Sequence, residues 1–416
     1  MKETIKSNLH NPEELEFLYR ENQLQFSNSF RDVYEEIRHE EIARFWQARL
    51  SYDLGQAKAI RWGSRQELGI LILASLLAGL LAKLPNFLSV SNDFFYPRNI
   101  GFIVFPFLIG YFVWKRQADT ATIAGLTGAL LLAALYINFL PASNQSDTLL
   151  LACLHLPLFL WSLLGVAFSG ITSKLSLRIA YIRYNGDLLV FTAVILLAGG
   201  LFTGLSIALF SLLNPQAPLF FRDNVVVFGL AAAPIVATYL TQANPELVGK
   251  VSPVIARLFS PLVLIMLVIY LIAVVATGKD PYNDREFLII FNFLLIGVMA
   301  IIVFSIGGIP KQGTNTASTL VLLMLSGLTI LVNLVALSAI LFRLSEWGVT
   351  PNRMAVLGGN LLIFVHLLLL FTELVKVVRN KRALTDVESK VGAFLPAYAL
   401  WAICVTFLFP VFFNFR

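Results

Sequence analysis

Four polar side chains interrupt otherwise apolar runs in the second half of the sequence: Tyr270, Asn292, Asn333 and Asn360. An amide is costly against lipid, so each asparagine must turn toward protein or water, where it either bonds a neighbouring helix or receives a solute. Counted at about 1.5 Å per residue from the nearest polar turns, all four lie roughly 10 to 15 Å inside, one on each of four consecutive apolar runs. Ser326, Thr329, Asn333 and Ala336 share one helix face and make a small, polar stripe. Above these residues stand two charged turns, with Arg285, Arg343 and Arg353 as cations and Asp280, Asp284, Glu286 and Glu346 as carboxylates. A mixed rim of this kind suits a zwitterionic or anionic headgroup, with the carboxylates orienting the arginines. It equally suits an internal salt-bridge network that fixes the turns, just as the amides equally suit interhelical bonding that glues a bundle.

Other ionisable groups within apolar runs are few. His366 and Glu373 are seven residues apart on one helix face, as a proton relay would need, but Lys376 follows Glu373 and an interfacial ion pair is the simpler account. His155 precedes Pro157 and has a carbonyl freed by the kink as an available partner. There is no zinc-binding HExxH pair, no phosphate-cradling GxxxxGK and no GxSxG elbow. Cys153 and Cys404 lie in separate apolar runs without a partner at ligand spacing, so they read as packing residues; no metal or cofactor is implied.

The elements that must position these groups are eleven apolar stretches, because about 20 apolar residues match a hydrocarbon core of about 30 Å and only a helix satisfies its own backbone there. They are expected at Gly69 to Lys83, Ile100 to Trp114, Thr122 to Leu140, Leu149 to Phe168, Leu188 to Leu213, Val225 to Thr241, Leu258 to Thr277, Phe287 to Ile306, Thr319 to Phe342, Met354 to Val378 and Phe394 to Phe413. The first two are short. With 57% hydrophobic and 13% charged residues, a soluble globular domain is excluded. The net charge of +6 gathers beside the apolar runs and does not imply nucleic acid. Lys58, Arg61 and Arg65, then Lys115 and Arg116, then Lys174, Arg178 and Arg183, fall in alternate gaps and place the amino terminus inside. The cluster from Lys376 to Lys390 makes the last run start inside and end outside, which requires an odd number of spans.

Residues 1–67 are polar and read as cytoplasmic helices. Asn11-Pro12 starts one; Phe30, Val33, Tyr34, Ile37, Phe45 and Trp46 recur on a second, giving a helical hairpin packed on the membrane domain or a docking surface for a cytosolic partner. Lys174 to Tyr184 reads as a short interfacial helix. Gly200 and Gly204 form one GxxxG, whose commoner use is close packing within the fold. In both charged turns Gly stands three residues before Pro, at Gly278 and Pro281 and at Gly348 and Pro351. Such spacing lets a left-handed Gly end one helix while Asp280 or Thr350 caps the next. The 70-residue offset between the glycines also admits a tandem pair of hairpins.

Thr277 to Asn292 and Phe342 to Arg353 together resemble a bacterial multi-pass membrane family catalogued as domain of unknown function 4153. The closer segment is the second: an Arg, a Glu, an aromatic, Gly, a residue, Thr and then Arg, after a transmembrane helix. The resemblance covers roughly residues 253–416. It implies a bacterial cytoplasmic membrane protein and carries no assigned activity. The expectation is therefore an all-α bundle with residues 1–67 inside, residues 68–252 as spans one to six and residues 253–416 as spans seven to eleven. It would be a permease-like protein whose outward vestibule takes a small polar or amphiphilic solute through Arg343, Arg353, Asn292, Asn333, Asn360 and Tyr270. The alternatives are a transferase acting on lipid-linked substrates, with Asp93, Asp280 or Asp284 as base, and a non-catalytic scaffold or sensor. Membrane lipid is the one partner implied throughout, and subunit number is left open.

Overall fold

In the computed structural model, residues 1–21, 23–55, 64–141, 146–171, 173–211, 214–244, 251–278, 282–283, 285–307, 316–379 and 382–416 are described. The chain divides into two compact units, Met1–Arg61 and Trp62–Arg416.

The amino-terminal unit contains four helices, Lys2–Ser7, Pro12–Glu21, Gln23–Ile37 and Glu41–Gly55. They enclose their own core, in which Ile5, Leu15, Phe26 and Phe30 are fully buried with Trp46. The expected hairpin is thus corrected to a four-helix unit, because the six-residue helix Lys2–Ser7 is too short to announce itself by periodicity and the stretch from Phe30 to Trp46 is divided between two helices. Phe45, expected on the packed face, is exposed. The Asn11 side chain accepts from Glu14 N at 3.3 Å, and Pro12 opens the helix it caps. Arg49 forks onto Glu16 at 2.7 and 3.3 Å and lies over the Tyr19 and Trp46 rings.

The second unit is all helical. Among the described residues ten helices are long and apolar enough to cross a membrane. In order, the first to sixth spans are Arg65–Ala82, Asn92–Lys115, Thr120–Phe139, Asp147–Ser169, Leu175–Ser211 and Ala217–Ala243. The helix Val251–Thr277, whose apolar stretch Leu258–Val274 is shorter than those of the ten, follows and is numbered seventh in chain order. The eighth to eleventh are Arg285–Gly307, Thr316–Trp347, Pro351–Val378 and Leu384–Phe412. The protein is an integral multi-pass helical membrane protein.

Several boundaries differ from the sequence expectation, two of them for instructive reasons. The second span begins eight residues earlier than Ile100, and is not short, because Arg98 finds partners inside the fold. Its guanidinium donates to the carbonyls of Ile137 at 3.2 Å and Leu140 at 3.5 Å, against the Phe94 ring. The interfacial helix expected at Lys174 to Tyr184 is instead the first part of one 37-residue fifth span. Its polar residues are held by neighbours: buried Tyr181 donates to Trp161 O at 2.6 Å, the buried Tyr184 hydroxyl meets that of Thr238 at 2.8 Å, and exposed Arg183 pairs with Glu388 at 2.7 Å. Farther along, a Cβ at Gly200 or Gly204 would meet nothing within 4 Å, so this GxxxG is not used for packing within the described chain.

The core of this unit has two main parts. Phe95, Leu108, Phe112, Leu164, Phe168 and Ile235 centre the first six spans; Leu267, Phe291, Leu295, Ile302, Leu325, Leu367 and Leu370 centre the later ones. Ile182 of the fifth span belongs to the second cluster, and Leu395 of the eleventh packs against both. The eleventh span also carries a π-helical turn, Cys404–Leu408, and Tyr136 of the third span donates to its Phe407 carbonyl at 2.9 Å.

Candidate functional site

The ninth span organises the site. It contacts the seventh, eighth and tenth spans, and its buried face carries polar groups along its length. Thr319 is 4% exposed, and Ser326, Thr329 and Asn333 are 0% exposed, with Ala336 completing the stripe. A buried hydroxyl on a helix commonly bonds the carbonyl one turn back. Accordingly, Ser326 donates to Leu323 O at 2.9 Å and Thr329 to Leu325 O at 2.6 Å.

At Asn333 three helices meet. Its Nδ2 donates to the main-chain carbonyl of Asn360 on the tenth span at 3.1 Å, and Asn360 Nδ2 donates to Asn292 Oδ1 on the eighth at 2.9 Å. Asn333 and Asn360 are buried, whereas Asn292 is half-buried and forms the accessible edge of the cluster. Tyr270 of the seventh span packs its ring on Phe291, the residue before Asn292, at 6.0 Å between centroids. The structure therefore joins the three amides that the sequence placed at one depth, while Tyr270 meets the ring beside Asn292. The three amides are bonded to each other's helices.

The arginines lie at the far end of the ninth span. Arg343 is 7% exposed; its Nε donates to Tyr282 O at 2.8 Å, and its guanidinium lies 5.4 Å from the Trp347 ring. Arg353 stands on the other side, 5.6 Å from the same ring, with Nη1 donating to both Trp347 O and Gly348 O at 2.6 Å. These are the last carbonyls of the ninth helix, which lack partners within it, so a cation from the tenth helix closes the turn. Gly348 has φ +77°, Thr350 Oγ1 accepts from Arg353 N at 3.3 Å and Pro351 occupies the first helical position. In the other turn Gly278 has φ +62°. Asp280, Pro281 and Asp284 lie outside the described residues, as does the side chain of Glu286, while Glu346 is exposed. The partners that hold Arg353 are thus carbonyls of its own turn. Along the helix, Arg343 is ten residues from Asn333, about 15 Å, so one small headgroup cannot touch both.

At the opposite end of the stripe the hydroxyls of Ser260 and Ser305 meet at 2.8 Å. With Ser318, Pro261, Val321 and Leu322 they line a cavity of about 140 Å³. The other intramembrane ionisable groups have local partners. His366 bonds the Tyr398 hydroxyl at 2.9 Å and stacks on Phe394, and Glu373 pairs with Lys376 at 2.8 Å. The ion pair expected for Glu373 is thus present, and His366 takes a separate partner instead of joining it in a relay. His155 bonds Leu151 O at 2.9 Å. That carbonyl is one turn behind the histidine, whereas the one Pro157 frees is that of Cys153.

Polar clusters that the sequence analysis passed over lie in the first six spans. Glu67 accepts from Tyr111 at 2.7 Å and Lys115 at 3.2 Å; Asn99 and Asn138 exchange hydrogen bonds at 2.9 Å; Asp187 is 9% exposed. The signal available was the i, i+4 spacing of Tyr111 and Lys115 and of Arg183 and Asp187. Among the described residues no cluster of His, Cys, Asp and Glu is arranged to hold a metal ion.

Comparison with protein-family models, with curated proteins and with solved structures gives no match to this chain.

Proposed function

We propose that the second half of the bundle binds, and carries across the membrane, a small polar or amphiphilic solute. The carrying observation is the row of buried polar residues on the ninth span, Thr319, Ser326, Thr329 and Asn333, interrupted by Leu322 and Leu325. It runs from the end that carries the cavity at Ser260 and Ser305 toward the amide cluster of Asn292, Asn333 and Asn360. Polar groups so deep in an apolar core cost stability unless they are hydrogen-bonded, and within a membrane such groups commonly mark a path or a site. Tyr270 is proposed to join the cluster from beside Phe291. Arg343, Arg353 and Glu346 form the rim from which a solute enters, and Asp280, Asp284 and Glu286 are assigned to it from the sequence alone. The basic gaps support an amino terminus inside and a carboxyl terminus outside. The likeness of the two turn sequences to domain of unknown function 4153 supports a place in the bacterial inner membrane. A cytosolic protein is the partner proposed for residues 1–67.

A specific observation favours a second reading, in which the amides only join helices: each observed amide bond runs between spans. Substituted cysteines separate the two. In a background with Cys153 and Cys404 changed to Ser, cysteines replacing Ser326 and Thr329 should react with iodoacetamide, a small neutral polar reagent. A cysteine replacing the apolar Val332, which is equally buried but is not part of the polar row, should not. If all three stay unreactive, the lane is dry glue and the solute reading fails.

A further inference from the structure

Asn333 holds an oxygen that nothing among the described residues satisfies. A main-chain carbonyl can only accept, so the group facing Asn360 O must be the amide nitrogen of Asn333, which fixes its Oδ1 on the opposite side. That oxygen is buried without a hydrogen-bond partner, in a side chain that is 0% exposed. Buried polar atoms in proteins are almost always paired, so a solitary acceptor points to an occupant that brings the donor. Its neighbours on the same helix face extend the demand. Ser326 and Thr329 both direct their hydroxyl protons to carbonyls of their own helix, leaving lone pairs as what they present. Over about 10 Å of helix the face thus offers a series of acceptors.

Charge narrows the choice further. The buried carboxylates recorded among the described residues, Asp187, Glu373 and Glu388, belong to other spans, with Glu373 thirteen residues from Asn360 along the tenth. A cation lodged at Asn333 would lack a counter-charge in a low-dielectric core, and an anion would face lone pairs. We infer that the amide cluster selects an uncharged solute rich in N–H or O–H donors, of the carboxamide, urea or polyol class, with Asn333 Oδ1 as the specificity-determining acceptor. This rests on the solute-binding reading above and gives it a substrate class.

The test uses the full chain in phosphatidylcholine nanodiscs, whose headgroup has no N–H or O–H donor, and reads the thermal unfolding midpoint. The probes are acetamide, N,N-dimethylacetamide, methylammonium chloride and sodium phosphate. Acetamide should raise the midpoint of the parent, whereas the same amide stripped of donors, the cation and the anion should not. Asn333→Leu should unfold no earlier than the parent without probe and should lose the acetamide shift; Thr329→Val, which removes a neighbouring acceptor with little change in shape, should reduce it. In phosphatidylglycerol discs, a higher starting midpoint with loss of the acetamide shift would assign the same chemistry to a lipid hydroxyl. An equal response to dimethylacetamide, an acetamide shift that persists in Asn333→Leu, or no response to acetamide in either lipid overturns the inference. A phosphate-induced rise abolished by Arg343→Gln would also overturn it, while leaving solute binding itself standing.

Discussion

Arg353 offers the sharpest separation between a side chain that holds the fold and one that meets a ligand. Replacing it by Gln removes the charge and shortens the reach, so neither bond to the end of the ninth helix can form with its present geometry. Hydrogen bonds from a charged donor contribute about 1.5 to 3 kcal/mol net. Here two share one nitrogen, at 2.6 Å to Trp347 O and to Gly348 O, so they count as little more than one. The contact with the Trp347 ring adds about 0.5 to 1 kcal/mol at an exposed site. Trp347 is 48% exposed, so water replaces part of what is lost, and the net cost should be about 2 kcal/mol. Glu346→Gln, one residue from Trp347 and exposed, serves as the control and should change stability by less than about 0.5 kcal/mol. The assay is the unfolding midpoint of both variants in nanodiscs, beside limited proteolysis of the turn, which a local opening accelerates. If Arg353→Gln is as stable and as resistant as Glu346→Gln, the clamp does not exist. If it is equally stable but no longer responds to a solute that stabilises the parent, Arg353 belongs to the binding site.

Gly348→Val forces a β-branched residue to φ +77° and should cost about 1 to 3 kcal/mol, read as lower yield and an earlier midpoint; unchanged stability would mean another conformation at this position. Topology is checked with an impermeant thiol reagent on spheroplasts: a cysteine at Val349 should label in intact cells and one at Thr385 only after permeabilisation. Labelling of both in intact cells would break the odd-span orientation. In the amino-terminal unit, Arg20 and then Arg49 hold the Glu16 carboxyl below its ordinary value. Because the folded value lies under the unfolded one, the stability it supplies, up to about 1 kcal/mol, is complete above the unfolded value and disappears as pH falls through the folded one. Trp46 fluorescence during unfolding from pH 7 to 3 should show this loss in the parent and a flatter profile in Glu16→Gln.

Hydropathy alone carried the helical architecture, since the bilayer fixes both the length and the type of a spanning element. It failed where a polar residue was satisfied by something distant in sequence. Arg98 looked like the edge of a loop because the carbonyls that receive it belong to Ile137 and Leu140, about forty residues away. Tyr181 and Arg183 looked interfacial because their partners sit on the fourth and eleventh spans. The site shows the same division. Counting residues placed Asn292, Asn333 and Asn360 at one level, but rise per residue says nothing of rotation between helices, so the order of bonding was hidden. The packing of Trp401 directly on Gly358 was equally out of reach, because a glycine in an apolar run does not say which ring it admits.

The fifth span is held unevenly along its length. Its first dozen residues are gripped by the fourth, sixth and eleventh spans, yet beyond them Leu197 and Leu201 are 70% and 78% exposed and Phe202 is 69% exposed. At 37 residues it runs to about 55 Å, well past a hydrocarbon core of about 30 Å. Its far end is packed again, with Ser206 buried and the Phe210 ring 5.8 Å from that of Phe221, so mechanically it is a beam held at both ends with a bare middle. Hydrophobic mismatch acts on that bare stretch alone, and its modest cost falls on a helix whose two ends are already fixed by protein.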